Sequence, residues 1–249
     1  MANDKYELVL NDAICVMGAT LYRIKALVDF RGVKQGDLGG YIENETNLSE
    51  YGDCWVSDKA HVYDTARVYG NARVNGRARV CGRAGVGANA VIDEDAFVYG
   101  DAMVYGSAQV CGNACVSDKA RVYDNARVFG DVIIAGSCNV CGDVKVNDRA
   151  RVFDNAKVCG DAKVYGKADV SEIYGDAEVF DNAQVYDNAR VCGRAKVFGK
   201  AKVYRDNKIT KILSPDYDTD DPNNKARAQV NTQSDPNIVT LPKGMWKKK

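Results

Sequence analysis

Histidine is almost missing: His61 is the only one in 249 residues. A three-histidine zinc centre is therefore excluded. Net charge is missing too, since lysine plus arginine and aspartate plus glutamate number 34 each. No overall field draws the chain to nucleic acid or to an anionic membrane. No apolar run approaches the ~20 residues of a membrane span, and no charged segment followed by an apolar stretch marks a usual secretion signal. The expectation is a cytoplasmic protein with no signal peptide. No G-x-x-x-x-G-K occurs, so nucleotide binding has no motif behind it. The nine cysteines are odd in number and lack a disulfide framework, which suits a reducing compartment.

What the chain does have is a period of six. From Val56 to Val170 an aliphatic residue falls at every sixth position, Val throughout except Ile92 and Ile134. A small residue follows four positions after each, as in Val68-Tyr69-Gly70-Asn71-Ala72-Arg73. Six is neither the helical period nor a strand alternation, and it identifies a hexapeptide repeat winding a parallel β-helix. Three hexads make an 18-residue coil, and residues 54–209 supply about nine coils, a rod roughly 40 Å long at ~4.8 Å per coil. Val and Ala should point inward, each buried Val contributing ~1.5–3 kcal/mol. Gly, Asp and Asn recur where corners favour positive φ.

The rhythm shifts by three residues around Val170-Ser171-Glu172-Ile173, then resumes from Val179 to Ile209. Val132, Cys138 and Val144 replace Ala in three consecutive hexads, which should widen one coil. Residues 1–50 do not repeat. Residues 7–10 and 20–30 read as strands before the turn Gly36-Asp37-Leu38-Gly39-Gly40, and the segment is expected to cap the open sheet end. Residues 51–209 are assigned to the β-helix. Residues 210–249 are assigned to a terminal strand and a loosely attached, flexible polar tail interrupted by Pro236 and Pro242.

The six-residue rule resembles the left-handed β-helix proteins, and left-handedness is an implication of that resemblance alone. A narrower likeness lies in the order Leu21-Tyr22-Arg23-Ile24-Lys25-Ala26-Leu27, Gly36-Asp37-Leu38-Gly39-Gly40-Tyr41-Ile42, Asn47-Leu48-Ser49, Cys54-Trp55-Val56, then A-R-V-Y-G-N hexads. This resembles an uncharacterised group of bacterial and bacteriophage proteins, the YdcK-like or polymer-forming hexapeptide-repeat proteins. The resemblance covers residues 6 to about 204, implies a prokaryotic or phage origin, and transfers no catalytic residue.

The best-known enzymes of the left-handed fold are acyltransferases with a His base in a trimer cleft. His61 is the one candidate for that role, at a position where Arg or Lys usually stands. Outward-facing residues offer a different reading. Tyr69, Tyr105 and Tyr123 share one face, with Gly87 interrupting and Cys141 and Cys159 continuing the row. Phe180, Tyr186, Cys192, Phe198 and Tyr204 hold the same hexad position later. Arg67, Arg121 and Lys157 flank the first row, and Arg73, Arg127, Lys145 and Lys163 lie on a neighbouring face. Such ladders suit recognition of a protein, a glycan or single-stranded nucleic acid by stacking and cation–π contact. Equally, Tyr and Phe satisfy β propensity and Arg covers them. Nucleic acid is disfavoured because corner acids neutralise the cations.

Corner carboxylates at Asp58, Asp64, Asp118, Asp124, Asp148, Asp154, Asp181 and Asp187 invite calcium, yet the chain lacks the calcium-binding nonapeptide. Cys138 and Cys141 form a C-x-x-C by spacing only, because the repeat aims Cys138, like Cys54, inward. Cys81, Cys111, Cys141, Cys159 and Cys192 should face solvent. No metal or cofactor is expected. The reading is a non-enzymatic rigid scaffold for a protein partner, a phage or prophage accessory protein acting on a host or defence protein, or a structural component. It is expected to form a homo-oligomer, dimer or trimer. The alternatives are an acyltransferase using acetyl-CoA at a subunit interface near His61, and self-assembly into filaments.

Overall fold

Short strands of two to four residues separated by four-residue corners cannot pair within their own hexad, so each must find a partner one full turn away. That is the arrangement in the computed structural model, which describes residues 3–166, 171–205, 207–213 and 216–218. The strands from Trp55–Val56 to Lys208–Ile209 pair in parallel on three sheets, each with the strand 18 residues on except across one coil, as Val56 with Val74 and Val98 with Val116. Among the described residues the sheets contain twelve, nine and eight strands, the twelve including three strands of the N-terminal end. The chain is an all-β parallel solenoid of about nine coils.

Inside, Val or Ile and Ala from all three faces form one continuous column from Ile42 to Val203, nearly all fully buried. One branched and one tiny side chain per face is what a narrow triangular core accommodates. Val132, Cys138 and Val144 are fully buried in place of Ala. Next to them the strands Arg127–Gly130 and Lys145–Asp148 pair over four residues, extending the two-residue pairing of most coils to Phe129 with Asn147 and Gly130 with Asp148.

Corners carry the positive φ. Asp58, Asp64, Asp118, Asp124, Asp148, Asp154 and Asp181 have φ between 57° and 62°, and most remaining corners carry Gly. These corners stack closely: a Cβ on Gly136 would lie 2.6 Å from the Asp154 carbonyl oxygen. Backbone crowding of that kind reinforces the choice of Gly where no side-chain bond compensates.

The phase shift is local. Val152 pairs with Ile173, Val158 with Val179 and Val164 with Val185, a step of 21 in place of 18 on all three faces. Three residues are thus added between Val164 and Ile173, and Val170, which the sequence placed in the repeat, lies outside the described residues.

At the N-terminal end β1 (Tyr6–Val16) and β2 (Ala19–Ala26) form an antiparallel hairpin, and β3 (Leu38–Ile42) joins β2 on one side and the first coil on the other. β1 extends beyond residues 7–10 because a register shift between Val9 and Ala13 lets pairing resume. Gly39 and Gly40 permit close docking, since a Cβ on Gly39 would sit 2.5 Å from Ile24 Cγ1. Trp55 is buried against Phe30 and Tyr6. The Tyr6 hydroxyl donates to the Leu48 carbonyl at 2.7 Å, and buried Asn47 donates to the Asp64 and Ala66 carbonyls at 3.0 and 2.9 Å. These bonds satisfy backbone groups that an open end would leave bare.

At the other end, Leu213 and Tyr217 are buried in the core column, and Ile212 and Asp218 bridge to Lys196 and Lys202. Of residues 210–249, assigned to a terminal strand and a loose tail, Tyr217 and Asp218 are also held in the stack, Tyr217 buried against the last coil and Asp218 bridged to Lys202. Residues 219–249 lie outside the described residues.

Candidate functional site

With Val inward, its two neighbours in each strand face outward, so every sheet displays two parallel rows of side chains. The candidate residues divide between two sheets. Arg67, Tyr69, Tyr105, Arg121, Tyr123, Lys157, Phe180 and Phe198 lie on the eight-stranded sheet, whereas Tyr186 and Tyr204 lie on the nine-stranded sheet.

The aromatic rows stack on themselves. Tyr105 and Tyr123 lie 5.0 Å apart and 2° from parallel, Phe180 and Phe198 5.3 Å and 6°. On the nine-stranded sheet Tyr165, Tyr186 and Tyr204 form a three-ring column at 4.9 and 4.8 Å. Ring faces in such a column touch neighbouring rings, so edges and hydroxyls are what face outward. Tyr69 differs. It lies over Gly87, where an added Cβ would be 2.1 Å from its Cε2, and stays 38% exposed. With Arg67, Leu48, Ser49 and Tyr51 it lines a depression of about 650 Å³ at the capped end.

Cations are distributed unequally. On the twelve-stranded sheet Glu172 lies between Arg151 and Arg190, 3.9 and 3.2 Å away. On the eight-stranded sheet Glu178 holds Lys196 at 3.2 Å. The nine-stranded sheet places Arg127, Lys145 and Lys163 on three successive rungs, all exposed, and among the described residues none has an ion-pair partner.

His61 sits between Tyr41 and Arg79 on the twelve-stranded sheet, its ring edge-on to Tyr41 at 5.9 Å. Desolvation, then the Arg79 charge, lowers its pKa, and Nδ1 is buried without a hydrogen-bond partner. The imidazole is neutral near pH 7, but no carboxylate orients it. Neither depression at the capped end includes it.

The corner carboxylates have structural partners. The Gly76, Gly82, Gly136, Gly142, Gly175 and Gly199 N–H groups donate to Asp58, Asp64, Asp118, Asp124, Asp154 and Asp181 at 2.9–3.2 Å. Among the described residues no three His, Cys, Asp or Glu side chains converge as a metal-ligand group.

Cys54 and Cys138 point into the core as expected. The expectation of solvent-facing thiols is corrected for Cys81, Cys141 and Cys192, which are buried although outside the central column. A thiol is shorter than the tyrosines of its row, so ladder neighbours cover it. Over Cys81 the hairpin adds a lid: Leu21, with Ile14 and Val16, packs on Tyr63 and Cys81 as a separate apolar cluster. What sequence reasoning missed is the pairing of Cys141 with Cys159. Their common hexad position, one coil apart, was the available signal.

A coil of in-register hexads with an unbroken Val/Ala core and a strand-built cap defines a parallel β-solenoid protein. The family model of the YdcK beta solenoid repeat matches residues 66–82, 96–112, 120–136 and 183–197. All four stretches fall on coils, so these coils are similar to the YdcK β-solenoid repeat, and the β-solenoid architecture is consistent with a YdcK-like protein. No curated protein matches the sequence. No helix among the described residues is long and apolar enough to cross a membrane.

Proposed function

We propose that this chain is a rigid, non-enzymatic β-solenoid scaffold whose nine-stranded face binds an acidic surface of a protein partner. The observation that carries this reading is the run Arg127, Lys145, Lys163. Like charges on adjacent rungs are destabilising, and on the other two faces Glu172 separates Arg151 from Arg190 and Glu178 separates Lys157 from Lys196, so that no run of three successive cations forms there, although Arg190 and Lys208 are neighbours. A face that keeps three unpaired cations in line has its complement elsewhere. The column Tyr165, Tyr186, Tyr204 begins beside Lys163, its ring faces closed by mutual stacking, and its Tyr204 hydroxyl donates to Asp218 at 2.8 Å. The resemblance to bacteriophage proteins suggests a host or defence protein as the occupant.

The test is a comparison of captured proteins from a bacterial lysate, with and without phage infection, using wild type, the triple variant R127E/K145E/K163E, and a control reversed on the eight-stranded face at Arg67 and Arg121. The expected result is one stoichiometric acidic protein, lost with the triple variant and with rising salt, and kept by the control. Equal capture by all three proteins, or none by any, overturns the proposal. An acyltransferase near His61 would gain thermal stability from acetyl-CoA. The scaffold reading expects no such gain.

A further inference from the structure

On the eight-stranded sheet Val140 pairs with Val158, so Cys141 and Cys159 occupy adjacent rungs of one outward row, and both thiols are free. Tyr123 lies on the preceding rung, and the Lys157 charge acts on both sulfurs. We infer that Cys141 and Cys159 form a two-coordinate site for a soft monovalent d10 metal ion, copper(I) being the natural occupant, held linearly between the two sulfurs.

Spacing selects this ion class. In-register side chains on adjacent coils stand ~4.8 Å apart. A disulfide usually has its Cβ atoms ~3.5–4.5 Å apart, so parallel side chains at the rung spacing would have to lean together by at least a few tenths of an ångström to close one. Metal–thiolate bonds are ~2.3 Å at tetrahedral zinc and shorter at a two-coordinate ion, so two laid end to end span somewhat under ~4.6 Å, close to the coil rise. Tetrahedral zinc needs further protein ligands, and among the described residues no third His, Cys, Asp or Glu joins the pair. Thiolate ligands favour copper(I) among ions content with two donors.

Protonation is arranged for it. Hydrogen bonding from Cys159, with a further bond from the Tyr123 hydroxyl and the Lys157 charge, outweighs burial and Asp124 and pulls the Cys141 thiol down to about 6. Cys159, as the donor in that bond, is pushed up, with burial and Glu178 acting in the same direction. Binding forms two metal–sulfur bonds, and whatever thiol protons the pair still holds leave to solvent, so that the complex carries a charge of −1 beside Lys157. No electron is transferred.

The experiment is an anaerobic titration with copper(I) against a chromogenic copper(I) chelator, using wild type, C141S, C159S and C15S. A second pair, C141Y and C159F, guards against misfolding, because Tyr105, Tyr123, Phe180 and Phe198 already fill this row. Wild type and C15S should take one equivalent with at least 100-fold higher affinity than any variant at 141 or 159. X-ray absorption should show two sulfur neighbours. Equal affinity in wild type and the 141 variants overturns the inference, as does a sulfur shell of three or more. Quantitative formation of a Cys141–Cys159 disulfide by a mild oxidant without loss of coil pairing also overturns it, since the spacing argument would then be wrong.

Discussion

Asp118 tests the account of the corners most directly. Its φ of 58° is left-handed, and its carboxylate accepts from the Gly136 N–H at 3.0 Å in the next coil. Alanine keeps the strained conformation and removes the bond; glycine removes both. A net hydrogen bond contributes about 1 kcal/mol, and an L-residue in the left-handed region costs ~1–2 kcal/mol relative to glycine. D118A should therefore lose ~1–2 kcal/mol, while D118G should fall within about 0.5 kcal/mol of wild type, because relief of strain offsets the lost bond. The ordering is wild type near D118G, with D118A roughly 1 kcal/mol or more below both. Equilibrium urea unfolding gives the energies, and hydrogen exchange at the Gly136 amide reports the bond itself, with protection falling in both variants. If D118A equals D118G, or if calcium raises the stability of wild type but of neither variant, the structural account of these carboxylates is wrong.

Val104 is fully buried mid-column. V104A loses two methyl groups at ~0.8 kcal/mol each and leaves a small cavity, so urea unfolding should show a loss of about 2–3 kcal/mol, against less than ~0.5 kcal/mol for V91A on the outer row. Burial pushes the Cys138 thiol up from 9.0 to about 12. Its contribution to stability is present below pH 9 and is lost as pH rises from there toward 12; C138A should flatten that alkaline decline in urea midpoints measured from pH 7 to 11. Leu21 covers Cys81, so L21D should add one fast-reacting thiol in an assay with an aromatic disulfide, and an unchanged count would mean the hairpin tip is not the lid.

The coil was legible because its signal is repeated many times: six-residue Val spacing fixes strand, corner and core together, and a three-residue slip at 170–176 could be read as a slip. Features formed across coils were harder. That Asp118 bonds Gly136, or that Cys141 meets Cys159, follows only when residues are aligned at a distance of 18, and then only if side-chain length is considered with position. Length is also why Cys81 and Cys192 are buried where Tyr69 is exposed. The fold-back of Leu21 onto Tyr63 was invisible for another reason: nothing periodic connects the hairpin to the face it covers. Charge showed the same limit, since a neutral total concealed one face bearing Arg127, Lys145 and Lys163 in line.

The 21-residue turn has a consequence for how such a rod changes over generations. Because all three sheets step by the same three residues and resume their pairing at once, length added between Val164 and Ile173 leaves the register on either side intact. That makes this segment a natural graft point, where a foreign peptide or a whole folded module could be displayed from the side of the rod while the coils above and below continued to wind as before.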